Sequence, residues 1–62
     1  MPYVLVQMLE GRTQDQKNRL AKAITDSLVD IANAKIEACE VVIQEVPRTN
    51  WMVAGKMASD PS

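Results

Sequence analysis

The chain has 62 residues, of which 47% are hydrophobic and 24% charged, and seven basic against eight acidic side chains give a formal net charge of −1. One domain, spanning residues 1–62, is all that such a length allows, and it buries too little surface to be comfortably stable alone. A single cysteine, Cys39, and no histidine exclude an internal disulfide and a structural zinc set, so self-association is the remaining source of stability.

The balanced charge offers nothing to nucleic acid. No apolar run approaches the roughly 20 residues that cross a bilayer, and the N-terminus carries neither a basic leader nor a cleavable apolar segment. The expected setting is the cytoplasm, with no membrane, metal or cofactor.

Residues Pro2 to Leu9 are apolar at Val4, Leu5, Val6, Met8 and Leu9, with Tyr3 also suited to a strand and only Gln7 clearly polar. The run predicts a strand with both faces buried. Glu10-Gly11-Arg12 breaks it. Thr13-Gln14-Asp15-Gln16 then has the form of a capping box, so a helix is expected from about Gln14. Leu20, Ala23, Ile24, Ser27, Leu28 and Ile31 recur at spacings of three and four, with Lys17, Asn18, Lys22, Thr25 and Asp26 largely on the other side. Asn33 is suited to the left-handed conformation that ends a helix. A second β-branched run, Cys39 to Val46, is stopped by Pro47.

Strand, helix and strand form a βαβ unit, and the long crossover favours parallel pairing with a right-handed connection. The fold class is α/β. Val4, Val6 and Met8 point opposite to Tyr3, Leu5 and Leu9, so one helix leaves an apolar sheet face uncovered; that face needs a partner subunit. After Pro47, Trp51-Met52-Val53 and Gly55 suffice for a short extension or hairpin, expected to grip a neighbour, before a polar end at Ser59-Asp60-Pro61-Ser62.

No triad, phosphate loop or metal-ligand cluster is present. What remains is Met1-Pro2 directly before a strand, a context in which the initiator methionine is normally removed. Removal would leave a secondary amine held rigid by its own ring, able to carry a proton or attack a carbonyl. An apolar pocket or a nearby Arg12 would push that amine below its ordinary range, toward the neutral form a base requires. On pattern alone, Pro2 reads more readily as a proline that merely opens a strand.

The whole chain resembles the 4-oxalocrotonate tautomerase family. Pro2 opening a strand, Leu9-Glu10-Gly11-Arg12 at its end, Gln16-Lys17 in the helix start, Val41-Val42-Ile43-Gln44-Glu45-Val46, Asn50-Trp51 and Gly55 carry the likeness over residues 2 to about 58 without a gap, and the length agrees. The resemblance implies a β-α-β fold, a two-stranded parallel sheet with a short C-terminal hairpin, assembled as a homohexamer built as a trimer of dimers. It implies a cofactor-independent isomerase in which Pro2 moves a proton in an enol or unsaturated 2-oxo acid. Arg12 matches the arginine that anchors a substrate carboxylate, usually from a neighbouring subunit, and its planar fork suits that task. Trp51 matches an aromatic pocket wall. Leu9 and Val53 are weaker lining candidates, and Tyr3 carries a hydroxyl nearby, although a strand tyrosine is more often packing.

One position departs from the family pattern. Glu40 stands where a second arginine is expected, and an anion there repels a dicarboxylate and removes polarisation of the carbonyl on which enolate charge develops. Three accounts are open: Glu40 points to solvent while Arg48 or another cation substitutes; Glu40 activates water, as in hydratase and dehalogenase branches; or a second subunit type in a hetero-oligomer supplies the arginine. A competing reading makes the chain a non-catalytic partner subunit. Cys39 lacks a histidine to activate it and reads as a packed thiol. Glu10, Glu37 and Glu45 read as solvated or cap-adjacent charges.

Overall fold

The computed structural model describes residues 1–58; the polar end expected at Ser59 to Ser62 lies outside the described residues. Strand β1 (Tyr3–Leu9) leads to helix α1 (Gln14–Ala32), then to strand β2 (Glu40–Val46) and a small hairpin of β3 (Met52–Val53) and β4 (Lys56–Met57). Short 3-10 turns at Ile36–Ala38 and Arg48–Asn50 join these elements. The first delays β2 to Glu40, because the Cys39 amide is still donated to the Ile36 carbonyl at 3.1 Å.

The ends of α1 are set by their own side chains. The Gln16 amide donates to Thr13 Oγ1 at 3.1 Å and the Thr13 amide donates to Gln16 Oε1 at 2.9 Å, so the expected capping box forms in full. Asn33 ends the helix with φ 59 and ψ 32, and the Ala34 amide donates to the Leu28 carbonyl at 3.2 Å.

β1 and β2 pair in parallel, in a register running from Tyr3 opposite Glu40 to Leu9 opposite Val46. One further backbone bond extends each end of the ladder: Glu40 amide to Pro2 carbonyl at 3.0 Å, and Glu10 amide to Val46 carbonyl at 3.1 Å. Val4, Val6, Met8, Val41 and Ile43 are half-buried on the helix side. On the other face Tyr3 is 59% exposed, Leu5 45% and Val42 43%, and Gln7 Nε2 donates to Gln44 Oε1 at 2.8 Å across the two strands.

No described residue is fully buried. The Cα radius of gyration is 14.2 Å, whereas a compact domain of this length has about 10–11 Å. A single chain therefore covers only one face of the strand expected to be buried on both. A second uncovered surface is the apolar depression of about 400 Å³ along α1, lined by Ala23, Ile24, Ser27, Leu28, Ile31 and Ala32. No helix among the described residues is long and apolar enough to cross a membrane.

Two charges differ from their sequence reading. Lys17, expected on the polar side of α1, turns to the sheet, and its Nζ donates to Glu45 Oε1 at 2.8 Å. Glu45 is thus half-buried and paired rather than solvated. The inward parity of position 45, shared with Val41 and Ile43, is the physical reason.

Candidate active site

Pro2 sits at the foot of β1, half-buried, with its carbonyl held by the Glu40 amide at 3.0 Å. Met1 extends from it into solvent, 95% exposed. Tyr3 and Glu40 are register partners on the face turned away from α1, and both are exposed. Cys39, next to Glu40, is half-buried rather than buried as expected, with its thiol donated to the Lys35 carbonyl at 3.3 Å.

The remaining expected site residues lie on segments that leave the opposite end of the sheet. Leu9 closes β1 half-buried, Gly11 turns the chain with φ 127, and Arg12 emerges exposed immediately before the Thr13 cap. A φ in that region suits glycine, so the sequence places one of its two glycines where the chain must bend away from the strand. Trp51 is half-buried beyond β2; its amide donates to the Arg48 carbonyl at 3.1 Å and its carbonyl accepts the Ala58 amide at 2.8 Å. Val53, on the hairpin, is 62% exposed.

β1 is seven residues long, and at a rise of about 3.3 Å per residue its two ends lie roughly 20 Å apart. One chain therefore holds two separated halves: Pro2, Tyr3 and Glu40 at one end, and Leu9, Arg12, Trp51 and Val53 at the other. Within a chain, Pro2 and Arg12 do not meet.

Arg48 also leaves the Arg12 end, directly after Pro47. It does not stand in for a cation at position 40 of the same chain. Its Nε is buried and finds no acceptor among the described residues, a costly state for a guanidinium nitrogen. Glu45 lies near this end too. The Lys17 ammonium, hydrogen-bonded to it, holds its carboxyl below the usual carboxylate range against an opposing effect of burial, with smaller help from the Gly11 amide and the Arg12 charge. Sequence reasoning missed this pair, although the strand parity of Glu45 was the available signal. No group of three or more His, Cys, Asp or Glu side chains close enough to hold a metal ion occurs among the described residues.

Residues 2–60 match the family of tautomerase enzymes. The chain belongs to the tautomerase family. It is 43% identical to a 2-hydroxymuconate tautomerase of Bacillus subtilis over 60 residues, covering 97% of each chain. It is 38% identical to one of Pseudomonas putida, covering 97% of this chain and 95% of the other. The fold matches the crystal structure of YwhB, a homologue of 4-oxalocrotonate tautomerase, with a TM-score of 0.89 at 42% identity over 95% and 97% of the two chains. A heterohexameric 4-oxalocrotonate tautomerase from Chloroflexus aurantiacus gives 0.87 at 35% identity over 92% of each. The β-α-β unit with its parallel pair and antiparallel hairpin is thus the tautomerase fold, and the chain is an isomerase of the tautomerase type.

Proposed function

We propose that Pro2, freed of Met1, is the general base of a cofactor-independent tautomerase acting in the cytoplasm on small enols or unsaturated 2-oxo acids. The placement of Pro2 carries this reading. It opens β1 half-buried, with its carbonyl pinned by the Glu40 amide, so its ring nitrogen is positioned by the sheet rather than by a rotamer.

The steps follow from the chemistry of a secondary amine. The neutral nitrogen takes the enol hydroxyl proton or a proton from carbon beside the carbonyl, giving an ammonium and a delocalised enolate. The same ammonium then returns a proton to the far carbon of the conjugated system. No atom is gained or lost, as isomerisation requires. With Met1 attached the nitrogen is an amide without a usable lone pair.

Arg12 of a neighbouring chain anchors the substrate carboxylate, since roughly 20 Å separates the two ends within one chain. Trp51, together with Leu9 and Val53, walls the pocket and excludes water. The assembly is a homohexamer built as a trimer of dimers, consistent with the two uncovered apolar surfaces; the heterohexameric relative supports a mixed assembly as the variant to test against.

The deciding experiment measures ketonisation of phenylenolpyruvate and 2-hydroxymuconate by protein whose intact mass lacks one methionine. Activity is expected in that sample and its loss in Pro2→Ala. Full activity of Pro2→Ala would remove Pro2 from the mechanism, and inactivity of the processed wild type on a panel of enols would favour a non-catalytic partner subunit.

A further inference from the structure

Glu40 is placed by the fold rather than by chance of a flexible side chain. Its amide is bonded to the Pro2 carbonyl at 3.0 Å, its register partner is Tyr3, and its side chain is exposed on the open face of the sheet. Neighbouring strands are about 4.8 Å apart and consecutive Cα atoms 3.8 Å, which puts the Glu40 Cα roughly 6 Å from the Pro2 Cα. That is inside the screening length of physiological salt.

The other ionisable groups at this end come from three elements: Tyr3 on β1; Cys39, Lys35 and Glu37 in the turn before β2; and Asp30 in the last turn of α1. Lys35 is the only cation among them, and Glu37 and Asp30, together with Glu40 itself, outnumber it. The opposite end carries Arg12, Arg48, Lys17 and Arg19 against Glu10, Asp15 and Glu45, with Lys17 paired to Glu45 and Arg19 to Asp15. Each chain is therefore acidic at its base end and basic at its anchor end.

We propose that Glu40 is a specificity-determining residue, selecting substrates whose negative charge is confined to the end held by Arg12 and whose reacting end is neutral or cationic. This rests on the assignment of Pro2 as base. A monoanionic enol acid satisfies both poles: its carboxylate meets the guanidinium, and its uncharged end lies beside Glu40. A dianion of the same length brings its second carboxylate against Glu40, and two like charges about 6 Å apart at a protein surface, screened by physiological salt, cost about a tenfold factor in binding.

The test compares kcat/KM for a monocarboxylate enol and a dicarboxylate enol of matched length in wild type, Glu40→Gln and Glu40→Arg. The ratio of mono- to dicarboxylate is expected to fall about tenfold in Glu40→Gln and further in Glu40→Arg. An unchanged ratio in both overturns the proposal. Wild-type inhibition by matched mono- and dicarboxylates gives a readout that needs no variant. Raising salt is expected to weaken the monoanion, bound by attraction to Arg12, more than the dianion, whose repulsion from Glu40 is screened; equal weakening of both overturns the proposal. Titration of the Pro2 nitrogen by 15N NMR, followed in wild type and Glu40→Gln, is independent of turnover. The neighbouring anion favours the protonated amine, so removing it is expected to move the titration to lower pH. An inactive Pro2→Ala together with an unchanged ratio sinks only the Glu40 assignment, whereas an active Pro2→Ala sinks both.

Discussion

Lys17 Nζ lies 2.8 Å from Glu45 Oε1 across the interface between α1 and β2, with side-chain exposures of 20% and 30%. The pair joins the first helical turns to the end of β2, beside the loop from which Arg12 emerges. Its effect on stability has a definite sign. The Lys17 hydrogen bond lowers the Glu45 carboxyl from its ordinary value of 4.5, so the unfolded chain binds its proton more readily than the folded one. The stabilisation is present above that ordinary value and is lost as pH falls through the lower folded value. Glu45→Gln is therefore expected to melt below wild type at pH 7, with the gap closing at acid pH. Thermal melts of both proteins at neutral, mildly acid and strongly acid pH read this directly; a gap that stays constant would show that the ion pair contributes nothing.

The absence of any fully buried residue among those described makes folding depend on association. Tyr3, Leu5 and Val42 on the open sheet face are already about half covered, and covering the remainder is worth about 1 kcal/mol per side chain. Folding coupled to assembly makes Tm rise with protein concentration. The expected outcome is a concentration-dependent Tm in wild type, and smaller, less stable species on Leu5→Asp or Val42→Asp, measured by sedimentation and calorimetry. A melting point indifferent to dilution over several decades would mean that the chain is stable without partners.

Much of this fold was legible in the residue pattern because the signals were local. Thr13 and Gln16 are three apart and cap each other whatever surrounds them; Asn33 ends the helix by its own backbone preference; Pro47 stops β2 because it has no amide to donate. The 3-10 turns at Ile36–Ala38 and Arg48–Asn50 left no such trace, since a single tight turn needs no periodicity. Lys17 was misplaced for a different reason. A long amphipathic side chain can lie on the boundary of a helix face, and only its partner on a distant strand decides which way it turns. For the candidate site, the residue types were readable, and so was the separation of Pro2 from Arg12 by a full strand; the Lys17–Glu45 pair beside Arg12 was not, because it depends on how α1 packs on β2.

The hairpin shows a conflict between sequence and backbone. Ala54 and Gly55 both have positive φ, 54 and 78, and link Val53 to Lys56 in a two-residue turn. Such a turn favours asparagine followed by glycine, and an alanine in the left-handed region costs about 1 kcal/mol. Ala54→Asn and Ala54→Gly are expected to stabilise the hairpin by about 0.5–1 kcal/mol, and Ala54→Val to loosen it. Hydrogen exchange at the Ala58 amide, bonded to the Trp51 carbonyl at 2.8 Å, reports the change locally. Slower exchange in Ala54→Val than in wild type would contradict the turn geometry.

The two halves of the site give the sharpest prediction about Arg12. A charge-assisted guanidinium–carboxylate pair is worth about 1.5–3 kcal/mol, so Arg12→Ala is expected to lower kcat/KM on a carboxylate enol by about 10- to 100-fold. Arg12→Lys should recover only part, because a point charge cannot reproduce the fork. If Pro2 of one chain works with Arg12 of its neighbour, two crippled chains can complement each other. Pro2→Ala and Arg12→Ala subunits, unfolded together and reassembled in equal amounts, then form sites that pair an intact Pro2 with an intact Arg12. Random mixing makes about a quarter of all sites complete, so about a quarter of wild-type activity should return. Activity no higher than that of the unmixed variants would place both residues in one chain, against the length of β1.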